Sequence, residues 1–405
     1  MEAVVSLNSG SSSIKFALFT LGPDGPQHAA VGKLEGIGTA PHLVARDANE
    51  VILVDRGWDN GAALTHEALL HDLFAWAGDH LPDHDIVAAG HRVVHGGTEF
   101  FRPLCVDDAL LAALDALCPL APLHQPHNLA AIRAIRTLAP ELPQVACFDT
   151  AFHHELPEVS TRFGLPRALH DKGIRRYGFH GLSYEYIARA LREADPVLAS
   201  GRVIAAHLGN GASLCAMRDG LSMDTTMGFT ALDGLLMGTR CGTIDPGAVL
   251  HLQTQEGMTA PAVEALLYKQ SGLLGVSGIS SDMRALHMSD DPHAAEAIEL
   301  FAWRAAREAS ALILSLGGID GIVFTAGIGE NDSVIRSAIC ERLAWLGIAI
   351  DAQANTRNAP VISMADSEII VRVIPTDEER VIAIHASPRS FLQEMPHEAA
   401  GRSCR

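Results

Sequence analysis

Positive charge is scarce in this chain. Thirty Lys and Arg stand against 48 Asp and Glu in 405 residues, a formal net charge of −18. A nucleic-acid partner needs a basic face to meet phosphate, so the acidic balance argues against that class of function. The seven cysteines include no C-x-x-C pair, and an odd, unpaired set suits a reducing cytoplasm better than a disulfide framework. No apolar run approaches the ~20 residues of a membrane helix. Residues 1–5 lack the basic flank and apolar stretch of a signal peptide. Low-complexity linkers are also missing, so any domain boundary is compact. What is present is 48% hydrophobic and 19% charged residues, enough for large cores and unlike a disordered chain. At roughly 150 residues per domain the length predicts two or three domains. The expectation is a cytoplasmic α/β protein.

Two segments read as β-hairpins. Val4-Val5-Ser6-Leu7 and Ile14-Lys15-Phe16-Ala17-Leu18-Phe19 flank the small-residue turn Asn8-Ser9-Gly10-Ser11-Ser12-Ser13. About 200 residues later, Val203-Ile204-Ala205-Ala206-His207-Leu208 and Ala212-Ser213-Leu214-Cys215-Ala216-Met217 flank Gly209-Asn210-Gly211. Two related halves, or two unrelated hairpins, both account for this. Asp291 is placed to cap a helix with Pro292 at its first position. Ile298, Phe301, Ala305, Leu312 and Leu316 then recur at helical spacing until Gly317-Gly318, a stripe that predicts core packing. A strand, Gly321-Ile322-Val323-Phe324-Thr325, and a turn over residues 326–331 follow. Residues 107–117 and 183–191 are further helix candidates. Strands alternating with helices predict an α/β fold.

Three glycine- or serine-rich turns, each after an apolar strand, suit a nucleotide phosphate chain, because successive backbone N–H groups form an anion nest that Lys15 would reinforce. Neither a Walker A spacing nor G-x-G-x-x-G after the first strand is present, which argues against P-loop and dinucleotide folds. Thirteen of the twenty histidines lie between His66 and His207. A zinc hydrolase is disfavoured all the same, since H-E-x-x-H and paired cysteines are absent.

The segments Asn8-Ser9-Gly10-Ser11-Ser12-Ser13-Ile14-Lys15, Gly90-His91-Arg92-Val93-Val94-His95-Gly96-Gly97, Phe148-Asp149-Thr150-Ala151-Phe152-His153, Arg176-Tyr177-Gly178-Phe179-His180-Gly181, His207-Leu208-Gly209-Asn210-Gly211 and Phe324-Thr325-Ala326-Gly327-Ile328-Gly329-Glu330-Asn331 occur in this order. Together they resemble the acetate kinase family over nearly the whole chain. The resemblance implies two duplicated actin-like (ribonuclease H-like) α/β domains with the active site in the cleft between them. Residues 1–150 would form the first, completed by a C-terminal helix around 380–395. Residues 151–380 would form the second and carry most nucleotide contacts.

The implied reaction is reversible phosphoryl transfer from ATP to acetate or another short carboxylate, with Mg²⁺, or Mn²⁺ in its place. By resemblance Arg92 binds the substrate carboxylate, and Val94, Leu123, Phe179 and Ala231 line the acyl pocket. Arg240 and His180 stabilise the transition state, and His124 has a supporting place. Asn8 and Glu378 hold the metal. Lys15, His207, Leu208, Gly209, Asn210, Gly211, Asp282, Met283, Arg284, Gly327, Ile328, Gly329, Glu330 and Asn331 contact the nucleotide. Asp149 is implied as acid/base. A carboxylic acid acceptor is already ionised at neutral pH and needs no base, so chemistry favours Asp149 as an orienter of metal or water. A homodimer is implied, without nucleic-acid or membrane partners.

The chain departs from the family pattern at Ala231, where proline is usual. It also departs at Gln125, Tyr184, Asp377 and Cys241. The smaller Ala231 predicts better use of propionate, and Cys241 beside Arg240 predicts sensitivity to thiol reagents. The alternatives are a propionate or butyrate kinase on the same scaffold, or an actin-like nucleotide switch with no acyl acceptor. A switch has no use for a carboxylate clamp at Arg92 and Asp149.

Overall fold

The computed structural model describes residues 1–388 apart from 11–12, 59–60 and 81–83. Ser11 and Ser12 of the first turn, and residues 389–395 of the expected C-terminal helix, lie outside the described residues. The chain divides into two units. One comprises Met1–Ala151 and the chain from Asp377; the other is Phe152–Thr376.

The first unit is built on β1 (Glu2–Ser9), β2 (Ser13–Gly22), β3 (Gly25–Glu35), β4 (His42–Asp47), β5 (Ile52–Gly57), β6 (Asp85–Val93), β7 (Leu104–Cys105) and β8 (Gln144–Phe148), in the sheet order β5-β4-β3-β2-β1-β6-β8-β7. The expected hairpin is present, with Asn8 opposite Lys15 and Ser9 opposite Ile14. Alternation along the strands sends Val5, Leu7, Phe16 and Leu18 to one face, where they meet Leu69 and Leu73 of the helix His66–His80. Each fully buried leucine of this kind contributes about 1.5–3 kcal/mol. The helix Glu378–Ala386 packs on β1 and β6. Its close approach requires Gly90, where a Cβ would fall 2.4 Å from Ile382 Cγ2.

The second unit contains β9 (Arg202–Leu208), β10 (Ala212–Arg218), β11 (Leu221–Thr225), β12 (Gly321–Thr325) and β13 (Ile370–Val373), ordered β11-β10-β9-β12-β13. Here β11, β10 and β9 pair antiparallel, while β9, β12 and β13 pair parallel. The strands β3-β2-β1-β6-β8 of the first unit repeat that order and those directions. The two hairpins are therefore equivalent parts of a duplicated unit, and the first copy carries extra strands at both edges.

The predicted long helix is Pro292–Leu316. The Asp291 carboxylate accepts from the His293 N–H at 2.8 Å, and Gly317 ends the helix at φ 69°. The helix predicted over 183–191 extends over Gly181–Ala194. Residues 326–331, expected as a turn, form the short helix Ala326–Asn331. Its first residue, Ala326, sits at φ 64°; tertiary bonds described below hold a conformation that sequence pattern alone disfavours. Among the described residues no helix is long and apolar enough to cross a membrane.

Candidate active site

In the first unit the parallel ladder of β6 and β8 pairs Arg92 with Cys147. Arg92 and Asp149, the residue after β8, thus meet at the carboxyl edge of the sheet, where open α/β sheets bind ligands. Arg92 Nε donates to both Asp149 oxygens at 3.0 Å, Nη2 donates to Oδ2, and Nη1 donates to Asn8 Oδ1 at 3.0 Å. Asp149 is 1% exposed. Burial opposes the Arg92 charge, but Asp149 more than compensates and holds the guanidinium above its ordinary value. A guanidinium has five N–H donors and these contacts use three, so part of the fork remains for an external anion.

Neighbouring side chains fix this edge. Asn128 and Gln125, on the helix Gln125–Leu138, accept from the Val94 and His95 N–H groups at 3.0 and 3.1 Å. Asn128 Nδ2 also donates to Ser9 O at 2.6 Å, and Gly96 N donates to Thr150 Oγ1 at 3.1 Å. Sequence reasoning noted Gln125 only as a departure and missed Asn128; two buried amides on one face of a helix were the available signal. His124 occupies the N-cap position of that helix, and Leu123 precedes it half-buried.

Glu378 opens the helix Glu378–Ala386. Burial, with Asp149 and Glu379 close by, pushes its carboxyl up to about 7 against the pull of Arg92 and Lys15. Like-charge crowding of this kind is what a cation relieves. The Glu378 carboxylate and the Asn8 amide oxygen are hard donors suited to Mg²⁺. Among the described residues no three His, Cys, Asp or Glu groups converge as a metal cage, so a cation here would draw most of its shell from phosphate and water. The donor set fits.

In the second unit His180 stands at φ 59° as N-cap of the helix Gly181–Ala194. Its ring stacks on His207 of β9, with centroids 4.1 Å apart and planes 19° from parallel. His180 Nδ1 meets Ser213 Oγ of β10 at 2.8 Å, and His207 Nδ1 meets Ser183 Oγ at 2.8 Å. Arg240 Nη1 donates to Ala231 O at 2.6 Å. A Cβ built on Gly211 would lie 2.8 Å from Arg240 Nη2 and 3.2 Å from His180 Nε2. The guanidinium and the imidazole thus converge on a position that admits only hydrogen. Cys241 is half-buried, and burial pushes its thiol up, which works against the reactivity expected from its neighbour Arg240.

A cavity of about 880 Å³ in this unit is lined by Gly209, Asn210, Asp282, Met283, Arg284, Gly327, Ile328 and Asn331 of the expected nucleotide set, together with His287, Met288 and residues 332–334. The same set is not gathered whole. Leu208 is fully buried in the core. Glu330 turns away from the cavity: its Oε1 accepts from the N–H groups of Ala326 at 2.7 Å and Thr376 at 3.0 Å, which fixes the left-handed Ala326. Arg336 escaped sequence reasoning. Entirely buried, it donates at 2.9 Å to the carbonyls of Gly329 and Glu330 and at 2.7 Å to Asn355, pinning the end of the short helix. Of the expected acyl-pocket residues, Val94 and Leu123 belong to the first unit, Phe179 and Ala231 to the second.

Repeated α/β units, one with an Arg–Asp pair at its sheet edge and one with an Arg–His pair beside a large cavity, define a two-domain α/β enzyme class. Residues 3–384 match the Acetokinase family. The acetate kinase of Rhodopseudomonas palustris is 52% identical over 389 residues, covering 95% of this chain and 97% of that protein. The acetate kinase of Methylocella silvestris is 50% identical over 391 residues, again covering 95% and 97%. Among solved structures, a propionate kinase from Francisella tularensis superposes with TM-score 0.88 at 38% identity, covering 95% of this chain and 99% of that one. The Porphyromonas gingivalis acetate kinase gives TM-score 0.84 at 36% identity, covering 95% and 98%. The chain belongs to the acetokinase family and has the two-domain actin-like fold of those kinases.

Proposed function

We propose that this enzyme transfers the γ-phosphoryl group of ATP to acetate, forming acetyl phosphate and ADP, and also catalyses the reverse. The obstacle is electrostatic. A carboxylate must approach a polyanion, and one like-charged pair at 4 Å opposes contact by ~4 kcal/mol at an effective dielectric near 20. Phosphoryl transfer is mostly positioning and charge stabilisation, and each unit offers a guanidinium for that purpose. Arg92, aligned by Asp149 and Asn8, takes the acetate carboxylate through its remaining donors. Arg240 meets the equatorial oxygens of the transferring group, and His180 adds a donor from Nε2. The planar fork suits both posts, since it grips two oxygens at once. Mg²⁺, held by Asn8 and Glu378, would supply charge neutralisation to the phosphates when bound. Asp149 orients Arg92 and, when metal is present, its water. The adenine nucleotide lies in the 880 Å³ cavity, with its phosphates toward residues 209–211.

The observation that carries this reading is the convergence of Arg240 and His180 on Gly211, inside a chain 52% identical to an acetate kinase. The same reading makes the protein a cytoplasmic homodimer with small-molecule partners only, and the net charge of −18 supports the exclusion of nucleic acid. The test is direct. Protein, ATP and Mg²⁺ are incubated with acetate, propionate or butyrate, and acyl phosphate is trapped with hydroxylamine. Acetyl hydroxamate is expected; hydroxamate from none of the three would leave a nucleotide switch as the better description.

A further inference from the structure

Ser213 is a fully buried hydroxyl in a strand that is otherwise apolar up to the exposed Arg218 at its end. Its Oγ lies 2.8 Å from His180 Nδ1 and 2.5 Å from the phenol oxygen of Tyr184. Tyr184 is likewise fully buried, one turn along the helix that His180 caps. The three groups form a line, phenol to hydroxyl to imidazole, and its last atom belongs to a residue whose opposite nitrogen faces Gly211 beside Arg240.

We propose that Tyr184, acting through Ser213, is a positioning residue that fixes His180 in the tautomer that accepts at Nδ1 and carries its proton on Nε2. The proposal rests on the reading of His180 as the group that meets the transferring phosphoryl oxygens. Ring atoms do not reveal a tautomer; the hydrogen bond at the other nitrogen sets it. The single Ser213 proton can point either way. A phenol is a much stronger acid than an aliphatic alcohol, so Tyr184 donates to Ser213 and Ser213 donates on to Nδ1. The reverse direction would ask the phenol oxygen to accept and would leave Nε2 as a lone pair facing anionic phosphate. The direction of the line thus decides whether the imidazole attracts or repels the group it meets. His207 makes an informative contrast. Its Nδ1 contacts Ser183, and Ser183 contacts Thr376 Oγ1 at 2.9 Å. Both of those hydroxyls are aliphatic, so acidity gives that line no preferred direction.

The test uses the full-length enzyme labelled with ¹⁵N in histidine, with two-bond ¹H–¹⁵N correlations to read the tautomer and His180→Gln to assign the signal. Wild-type His180 is expected as the Nε2–H tautomer. Tyr184→Phe keeps the ring and the packing; it is expected to mix the tautomers and to lower kcat roughly 3- to 10-fold, the worth of one hydrogen bond, with the KM values for acetate and ATP little changed. Ser213→Ala should act in the same direction and more strongly, while Ser213→Thr restores both signal and turnover. If Ser213→Ala fails to fold, Tyr184→Phe decides alone. A wild-type Nδ1–H tautomer, or unchanged signals and kcat in Tyr184→Phe, overturns the proposal. Full turnover in His180→Gln would instead reject the role given to His180, while the tautomer data would still judge the relay.

Discussion

Asp149 and Arg92 make a side-on pair in which Nε reaches both carboxylate oxygens at 3.0 Å, and Arg92 spends a further donor on Asn8. The first guanidinium of the site is therefore aimed by its neighbours before any anion arrives, which lowers the cost of ordering it during the reaction. Because Asp149 is almost wholly buried, removing its charge leaves a guanidinium without its counter-ion. Asp149→Asn is expected to lower kcat/KM at least 100-fold, and to reduce stability by about 3 kcal/mol in urea unfolding. Wild-type turnover in this variant would disprove the coupling.

Arg92→Ala and Arg240→Ala each remove one of the two proposed anion clamps. Losing a group that stabilises developing charge lowers kcat by about 10²–10³. Both variants should fall in that range in the hydroxamate assay with unfolding temperatures near wild type for Arg240→Ala. Retained activity in either would sink the mechanism.

Gly211→Ala is a steric test. The added methyl would sit 2.8 Å from Arg240 Nη2 and 3.2 Å from His180 Nε2, so one of them must move. Displacement of about 1 Å at a reacting centre lowers rates by about 10². A kcat loss of that order is expected while the melting temperature stays close to wild type; equal kcat would show that the two groups do not act at that point.

Ala231 offers its carbonyl to Arg240 and presents only a methyl group as side chain. Ala231→Pro is expected to raise the preference for acetate over propionate, measured as the ratio of kcat/KM values, by about 10-fold, the scale of one methylene in an apolar pocket. No change in the ratio would remove Ala231 from the acyl pocket.

Three histidines make the fold acid-labile. Burial lowers His91, His95 and His153 to about 4, whereas in the unfolded chain they titrate near 6.5. Between those values the unfolded state binds more protons, so stability rises with pH and is lost as pH falls from about 6.5 to about 4. Each site contributes up to about 3 kcal/mol. Urea midpoints measured across that range should decline steadily, and a flat profile would contradict the burial of these rings as neutral groups.

Sequence alone determined the elements that local chemistry specifies. Short apolar runs of strand-forming residues on either side of a glycine- or serine-rich turn marked both hairpins, because turn residues and strand formers act within a few positions. Asp291, Pro292 and Gly317 set the ends of the long helix, since caps satisfy backbone groups locally. The motif residues identified the family and proposed the site. The tertiary structure decided what depends on residues far apart in the chain. Whether the hairpins were copies of one unit rested on parallel pairing with strands such as β6 and β12, which arrive dozens of residues later. The 326–331 segment became helical because the Glu330 carboxylate, held by the N–H of the distant Thr376, accepts from Ala326 N–H, and buried Arg336 donates to the Gly329 and Glu330 carbonyls. Ser213 and Arg336 carry no local signature of their own, Tyr184 stands out only as a departure from the family pattern, and Asn128 only as a second amide on the helix face of Gln125. Their importance comes from burial, where a polar group must find its partner across the fold, and only the folded chain names that partner.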